Sequence, residues 1–200
     1  MVQMRTYLEL RAQKISTSYD WGGVSYPTLL FKSAEQVPSD VGTTDIQEGV
    51  PDTEIEREVI NVLFLFPFTI DYVSILDGTI SGNVSVSCYG DSYESYYKVE
   101  VREIYIDIVK IDTDGTETSL IGGDHLVTSS GPSAGNNTTS TAGYLFWINV
   151  SDAKIRASDR LGMRVRIRAW AKVETDPSGN WVRLNLEKNG DDLMVKLPMV

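Results

Sequence analysis

Residues 164–174 read RVRIRAWAKVE and alternate strictly between apolar residues and residues that are basic or aromatic. A period of two places successive side chains on opposite faces of a β-strand, so the stretch predicts a strand with one buried face. The predicted inward side chains are Val165, Ile167, Ala169, Ala171 and Val173. The outward side chains, called the basic row below, are Arg164, Arg166, Arg168, Trp170 and Lys172, and Arg160 extends them.

The charge of the whole chain is opposite to that of the basic row. Its 200 residues carry a formal net charge of -10, and 42% of them are hydrophobic. That length suffices for one sizeable core but not for two ordinary domains. An acidic chain disfavours nucleic acid as a partner. No apolar run approaches the roughly 20 residues of a membrane span, and the first residues lack the apolar segment of a secretory signal. Neither membrane binding nor export by that route is therefore expected.

The region from residue 58 to 200 reads as short segments rich in β-branched and aromatic residues, separated by turn clusters. Their number, about eight, and their spacing are typical of double-sheet antiparallel folds. The sequence therefore predicts an all-β fold, an antiparallel jelly-roll-like β-sandwich of about eight strands. An immunoglobulin-like strand order fits the same pattern.

Several local signals refine this prediction. Pro67 within an apolar segment indicates an edge strand or a bulge. The apolar phase of the segment YKVEVREIYIDIVKID changes near Arg102 and Glu103, which predicts a bulge there. Asp114-Gly115 predicts a hairpin turn. The stretch TSSGPSAGNNTTSTAG, residues 128–143, is of low complexity and predicts a long exposed loop.

The first 57 residues differ from the rest, because they are rich in Gly, Pro, Asp and Thr and show no sustained period. They predict an extended N-terminal arm, which could contribute one strand, rather than a second domain. The aromatic residues of this arm need a neighbour to bury them: Tyr19, Trp21, Tyr26 and Phe31. That neighbour is either another subunit or the chain's own sandwich, and the sequence leaves both open.

The residue types needed for catalysis are sparse. His125 is the only histidine, and it lies beside the predicted loop, where a solvated role is expected rather than a catalytic one. No second histidine or cysteine pattern suits zinc. The single cysteine, Cys88, shares the inward phase of Val84 and Val86 and is expected to be a buried, unreactive thiol. The sequence therefore predicts no catalytic residues, no cofactor and a protein that is not an enzyme.

The segment DTDGTE offers oxygen ligands from Asp112, Asp114 and Glu117 and resembles half of a calcium loop. A complete loop needs more ligands and a later bidentate glutamate. The three residues are therefore weak metal candidates, and a turn is the preferred interpretation.

Two interpretations of the basic row remain open. Its cations could pair across the sheet with acidic residues such as Glu100 and Asp107, each pair contributing roughly 0.2–1 kcal/mol. Alternatively, the row is a protein interface, because arginine and tryptophan are enriched in binding hot spots and a basic surface steers an acidic partner.

Several stretches of the chain carry a family resemblance: LFLFPFTI, GTISG, KVEVREIYIDIVKIDTDGTETSLIG, GYLFWINV, ASDRLGMRVRIRAWAKV and LMVKLP. Over residues 58–200 their order resembles jelly-roll virion structural proteins of tailed bacteriophages and archaeal viruses, of the capsid decoration, vertex and head-fibre types. The resemblance implies a structural role in the virion after assembly in the host cytoplasm. It also implies a homo-trimer or another ring oligomer that binds other virion proteins, such as the major capsid protein.

The expected function is therefore that of a non-enzymatic virion structural protein: a capsid decoration, vertex or head–tail assembly component held by oligomeric interfaces and the arm. One alternative is a carbohydrate-binding β-sandwich module, in which Trp21, Tyr26 or the face formed by Trp170 and Trp181 would stack on a glycan. The other alternative is a receptor-binding tail subunit.

Overall fold

The computed structural model describes residues 6–12, 18–21, 24–27, 29–31, 46–51, 54–69, 73–91, 98–172, 179–186 and 193–199, with side chains described from residue 46 onward except at 67–69. These parts of the chain form fifteen strands: β1 (Thr6–Ala12), β2 (Ser18–Trp21), β3 (Val24–Pro27), β4 (Leu29–Phe31), β5 (Ile46–Gly49), β6 (Arg57–Thr69), β7 (Ser74–Gly90), β8 (Lys98–Ile111), β9 (Glu117–Ser119), β10 (His125–Thr128), β11 (Ser133–Gly135), β12 (Thr138–Ile155), β13 (Arg160–Lys172), β14 (Trp181–Asn185) and β15 (Leu193–Met199). Within these ranges no helix is long and apolar enough to cross a membrane.

The strands form two antiparallel sheets and a small ribbon. In the first sheet, β7 pairs on one side with β12 and on the other with β14 and β15, which are followed by β5 and β1, and β4 lies beyond β1. In the second sheet, β13 lies between β6 and β8, and the short strands β9, β10 and β11 pair with the other side of β8. The ribbon consists of β2 and β3.

The order of these strands is that of a jelly roll. For this comparison β2, β3 and β4 are left out, and the remaining strands are renumbered along the chain: β1 with β5 is 1, β6 is 2, β7 is 3, β8 is 4, β9 to β11 are 5, β12 is 6, β13 is 7, and β14 with β15 is 8. The first sheet then has the order 1-8-3-6 and the second has the order 2-7-4-5. This is the double Greek key of a jelly roll. The predicted all-β, antiparallel jelly-roll-like sandwich is confirmed, and the immunoglobulin-like order is excluded. The eight strands predicted after residue 58 correspond to β6–β9 and β12–β15, and the structure adds β10 and β11.

The core lies between the two sheets and follows the predicted parity. On β13 the inward residues Val165, Ile167, Ala169 and Ala171 are all buried, while Val173 lies outside the described residues. The largest fully buried side chains include Phe64, Phe66 and Phe146.

Two predicted irregularities are present. The register between β13 and β8 shifts where Arg168 faces Glu103 and Ala169 faces Val101, so Arg102 is the extra residue of a bulge. The bulge lets the apolar residues on both sides of it point into the core despite their change of phase. Pro67 lies on β6, which is an edge strand of the second sheet. Both predictions are confirmed.

The long exposed loop predicted at residues 128–143 is wrong in part. Residues 133–135 form β11 on the second sheet, and β12 begins at Thr138 on the first. Asn136 and Asn137 turn the chain between the sheets with φ values of 55° and 57°, a conformation that asparagine tolerates better than most residues. From Thr138 to Gly143 the backbone pairs with β7. Serine and threonine suit this stretch because one face of it is exposed.

The segment that the sequence predicted to be an arm supplies strands to the first sheet. β1 pairs with β15, β5 pairs with β14, and β4 pairs with β1. In the ribbon, the backbones of Tyr19 and Tyr26 lie opposite each other. The side chains of Tyr19, Trp21, Tyr26 and Phe31 lie outside the described residues, so what buries them stays a prediction.

Cys88 is expected to be inert in the folded chain. Its side chain is fully buried, with Sγ 3.9 Å from the carbonyl oxygen of Val99. Burial, and secondarily the charge of Glu100, raises the pKa of the thiol to about 12. Because the thiolate is the reactive form, a disulfide reagent such as DTNB should label Cys88 only after unfolding in urea. Stoichiometric labelling in native buffer within minutes would contradict this assignment.

Candidate interaction surfaces

The basic row lies on the outer face of the second sheet, as its parity predicts. The side chains of Arg164, Arg166, Arg168, Trp170 and Lys172 are all partly exposed. Arg160 differs, because only 8% of it is exposed. The register between β13 and β6 shifts between Arg160 and Gly162, which sets Arg160 apart from the regular part of the strand. The exposed row therefore begins at Arg164.

Each cation of the basic row is paired within the chain. Arg164 contacts Glu117 and donates a hydrogen bond of 2.8 Å to Asn61 Oδ1. Arg166 contacts Asp124 and lies 3.6 Å from Glu58. Arg168 lies 2.9 Å from Glu103 and 3.0 Å from Glu56, and Lys172 lies 2.8 Å from Glu54. Four cations thus face six carboxylates, and this face is not net basic. Individual exposed pairs of this kind contribute about 0.2–1 kcal/mol.

The two acidic partners named from the sequence form their direct contacts with residues outside the basic row. Glu100 contacts Lys98 and lies 2.5 Å from Arg102, and Asp107 accepts a hydrogen bond of 2.7 Å from Ser119 Oγ. The cross-sheet pairing that the sequence allowed is therefore present, but the carboxylates come mostly from β6, the segment before it and the loops of the second sheet.

A shallow cavity lies over the middle of the basic row. It has a volume of about 280 Å³ and is lined by Glu58, Tyr105, Asp124, Arg166 and Arg168. The guanidinium of Arg166 lies 5.7 Å from the centre of the Tyr105 ring. The pKa of Glu103, beside the cavity, is lowered first by its hydrogen bond with Tyr105 and then by Arg168. The cavity thus presents charges of both signs that form ion pairs with one another.

The carboxyl group of Asp107 is buried beneath this face and gives a pH-dependent prediction. Burial raises its pKa, and the hydrogen bonds from Ser119 and the Ile108 amide, with the charges of Arg164 and Arg166, oppose that shift. A carboxyl whose pKa is higher in the folded chain stabilises the fold at low pH, and this contribution is lost as the pH rises through the folded pKa. An Asp107→Asn variant removes the cost of the buried charge and keeps an acceptor for Ser119.

We therefore expect the Asp107→Asn variant to have a higher free energy of unfolding than the wild type at pH 7. The difference should shrink as the pH falls toward the ordinary carboxyl pKa. Urea unfolding of both proteins at several pH values measures it. A variant that is less stable at pH 7, or a difference independent of pH, would show that the charged form is not penalised.

Trp170 and Trp181, the tryptophans of the carbohydrate-binding alternative, contact other side chains of the same chain. The guanidinium of Arg102 lies 5.4 Å from the centre of the Trp170 ring. Trp181 stacks on Tyr89 with ring centres 5.6 Å apart, and Arg183 lies 4.4 Å over its ring. These contacts stabilise the rings where they are. The other two rings of that alternative, Trp21 and Tyr26, have no described side chains.

The weak metal candidates form a turn. The amide of Thr116 donates to Asp112 Oδ1 at 3.0 Å and to Asp114 Oδ1 at 2.8 Å, and Gly115 has a φ of 87°. Glu117 contacts Arg164 instead. The interaction with Asp112 lowers the pKa of Asp114 to about 2 and raises that of Asp112. The carboxylates of Asp112 and Asp114 stabilise the turn between β8 and β9, which is the interpretation that the sequence favoured over a calcium loop.

His125 and Cys88, the remaining residues of types used in catalysis, lie in different parts of the fold. His125 is half-buried on β10 opposite Ile106, and Cys88 is buried in the core. In the described part of the chain, no group of three or more His, Cys, Asp and Glu side chains is arranged to hold a metal ion.

A surface that the sequence analysis missed lies on β12. Among the described strands, β12 pairs with β7 alone. Leu145 is 63% exposed and Trp147 is 62% exposed, while Phe146 and Ile148, on the opposite face of the same strand, are buried. The run YLFWI was a signal, since it places apolar residues on both faces of one strand. The sequence did not show that this strand is an edge.

Comparison with known proteins yields structural matches only. No protein-family description and no curated protein matches the chain. Among solved structures, it is similar to an alpha-amino acid ester hydrolase at 7% identity and a TM-score of 0.43, covering 70% of this chain and 25% of that one. It is also similar to a CocE/NonD family hydrolase from Staphylococcus aureus, at 14% identity and a TM-score of 0.42, covering 96% and 41%. A third match is the structure of infectious bursal disease virus, Gx strain, at 10% identity and a TM-score of 0.27, covering 100% and 56%.

These matches correct one expectation. The sequence predicted that the chain is not an enzyme, but the two hydrolases match with a probability of 1.00, and the exclusion of an enzyme is therefore wrong. This chain spans only about a quarter to two fifths of those hydrolase chains. A viral structure is among the matches, and the resemblance to tailed bacteriophages and archaeal viruses in particular stays a prediction.

Proposed function

We propose that this chain is a structural subunit of a virion that assembles with copies of itself through an exposed edge of its first sheet. The observation that carries the proposal is the exposure of Leu145 and Trp147 on β12. Large apolar side chains that lie together on an exposed surface mark interaction sites, and an unpaired strand edge is a template for another strand. The jelly-roll order and the sequence resemblance to virion proteins support the viral context.

The edge of β12 suits this role better than the basic row. The cations of the row are paired with carboxylates of the same chain, so binding a partner there would replace existing contacts. The outer face of β12 around Leu145 offers apolar area without such a cost, because removing it from water is favourable by about 25 cal/mol per Å².

The finer features of the role belong to the same proposal. The oligomer would be a capsid decoration, vertex or head–tail assembly component, and it would bind other virion proteins such as the major capsid protein. Residues 1–57 would contribute aromatic side chains to those contacts. A trimer or another ring would need a surface in addition to β12.

The solution mass of the purified full chain tests the proposal. Light scattering behind a sizing column, over a range of protein concentrations, should give a mass of at least two copies of the 22.2 kDa chain. An Arg168→Gln variant is the control for the basic row, and its mass should equal that of the wild type. A single-copy mass at every concentration would overturn the proposal.

A further inference from the structure

The edge of β12 is long and regular. Its pairing with β7 runs from Thr138 to Val150 without a register shift, and the shift that ends it lies between Val150 and Ala153. Proteins usually blunt such edges with charged residues, prolines or bulges. The stretch from Thr138 to Val150 contains no charged residue and no proline. Within the described ranges no strand pairs with its other side, which is therefore able to pair with another strand.

The distribution of charge favours a second copy of the same chain as the partner. Two copies with a formal net charge of -10 each repel one another over most of their surfaces. From Leu126 to Ser151 the sequence has no charged residue, although 23% of the whole chain is charged. Two such chains can approach with least repulsion at this edge. A charged peptide would find no complementary charge there.

The side chains of β12 fix the register of such a pair. Pairing must keep the buried face of one strand in line with the buried face of the other, since a slip of one residue would exchange the faces. An antiparallel pair centred on Leu145 places Gly143 opposite Trp147 of the second copy. A Cβ at Gly143 would meet no atom within 4 Å, so the indole has room to lie over that glycine. Aromatic side chains are known to cover edge glycines in this manner.

The same register also fixes which residues meet on the buried face. Ala142 lies opposite Ile148 of the second copy, so a small residue again meets a large one. A centre at Phe146 would instead place Leu145 against Trp147 on the exposed face, and Ala142 against Val150. The centre at Leu145 therefore places the glycine of the exposed face against the indole, and on the buried face it places Ala142 opposite Ile148 and Tyr144 opposite Phe146.

We propose that two copies of the chain join by antiparallel pairing of β12 with β12, around a two-fold axis at Leu145, so that the first sheets of the two copies become continuous. The inference rests on the proposed function and names the partner and the register of its contact. The two-fold contact is isologous and closes on itself, so it makes a dimer.

A Leu145→Cys variant tests the register. Opposite residues of an antiparallel pair have Cα atoms about 4.5–5.5 Å apart, within the range that a disulfide spans. Cys88 is buried, so it does not compete. Under mild oxidation the variant should form a covalent dimer on a non-reducing gel. A Thr141→Cys variant is the matched control, because two copies of residue 141 would lie about 27 Å apart along the strands at 3.4 Å per residue. Failure of Leu145→Cys to crosslink, or equal crosslinking of both variants, would overturn the register.

An exchange of the two complementary residues tests the contact without oxidation. Gly143→Trp places two indoles against each other, and Trp147→Gly leaves two gaps. Each single variant should raise the dimer dissociation constant at least tenfold. The double variant restores an indole opposite a glycine and should return within about threefold of the wild type. Since both positions are exposed, an unchanged melting temperature at low concentration confirms that each variant folds. Ile55→Lys, at an exposed apolar residue in the segment beside β13 of the second sheet, should leave the dissociation constant unchanged.

The results separate this inference from the proposed function. If the wild type assembles, but Leu145→Cys does not crosslink and the double exchange does not rescue, the chain is an assembly subunit that uses another contact. If the wild type has the mass of one copy throughout, both proposals are overturned.

Discussion

Replacing Phe146 with alanine should lower the free energy of unfolding by about 3–5 kcal/mol, whereas alanine at the next residue, Trp147, should change it by no more than about 0.5 kcal/mol. The two aromatic side chains are neighbours in sequence but point to opposite faces of β12. Phe146 is 2% exposed and belongs to the core, while Trp147 is 62% exposed. Loss of the Phe146 ring leaves a cavity between the sheets, and loss of the Trp147 indole leaves none.

Urea unfolding of the two variants measures this difference. The unfolding is measured at a protein concentration low enough that the wild type is monomeric, so that association does not contribute to the free energy of unfolding. At high concentration, where the wild type associates, Trp147→Ala should weaken association more than Phe146→Ala does. Equal losses of stability for the two variants at low concentration would mean that β12 does not have the orientation described.

The second large effect is expected at Gly82 on β7. A Cβ at this position would overlap with the carbonyl oxygen of Met194 and lie 2.5 Å from the ring of Phe146. The first contact is with backbone and cannot be relieved by a side-chain rotation. Gly82→Ala should therefore destabilise the fold by about 1–3 kcal/mol, the usual cost of overpacking.

Gly143 on β12 provides the matched control for Gly82. Both are strand glycines, but a Cβ at Gly143 meets nothing within 4 Å. Gly143→Ala should leave the monomer as stable as the wild type or more stable by up to about 1 kcal/mol, because alanine restricts the unfolded chain. The midpoints of urea unfolding compare the two. A Gly82→Ala variant as stable as Gly143→Ala would show that β7 and β15 are further apart than described.

Much of the sandwich could be predicted because local patterns determine it. The alternation around Val165 and Ile167 gave the strand and its buried face, and the change of phase near Arg102 gave the bulge. Such signals depend on which side chains point inward, and that is visible in the spacing of residues. The strand order was not visible in that way, since it depends on which distant strands pair.

The failures have a common physical cause. The stretch from Thr138 to Gly143 was predicted to be a loop because serine and threonine bury little area, but an edge strand needs backbone pairing on one side only. The basic row suggested a cationic surface because its partners, such as Glu56 and Glu103, come from other segments. Trp147 is exposed because it points to the outer face of the first sheet, and the run YLFWI did indicate apolar residues on both faces. The place of β12 at the edge was not visible, because it depends on which distant strands pair.

The most direct test of the proposed contact is hydrogen–deuterium exchange of the β12 amides as a function of protein concentration. Amides bonded to β7 should be protected at every concentration. The amides between Gly143 and Ile148 that face away from β7 should exchange fast in dilute solution and become protected as the mass rises to that of the dimer. If those amides exchange equally fast in monomer and assembly, β12 does not pair with a second copy, and the account is contradicted.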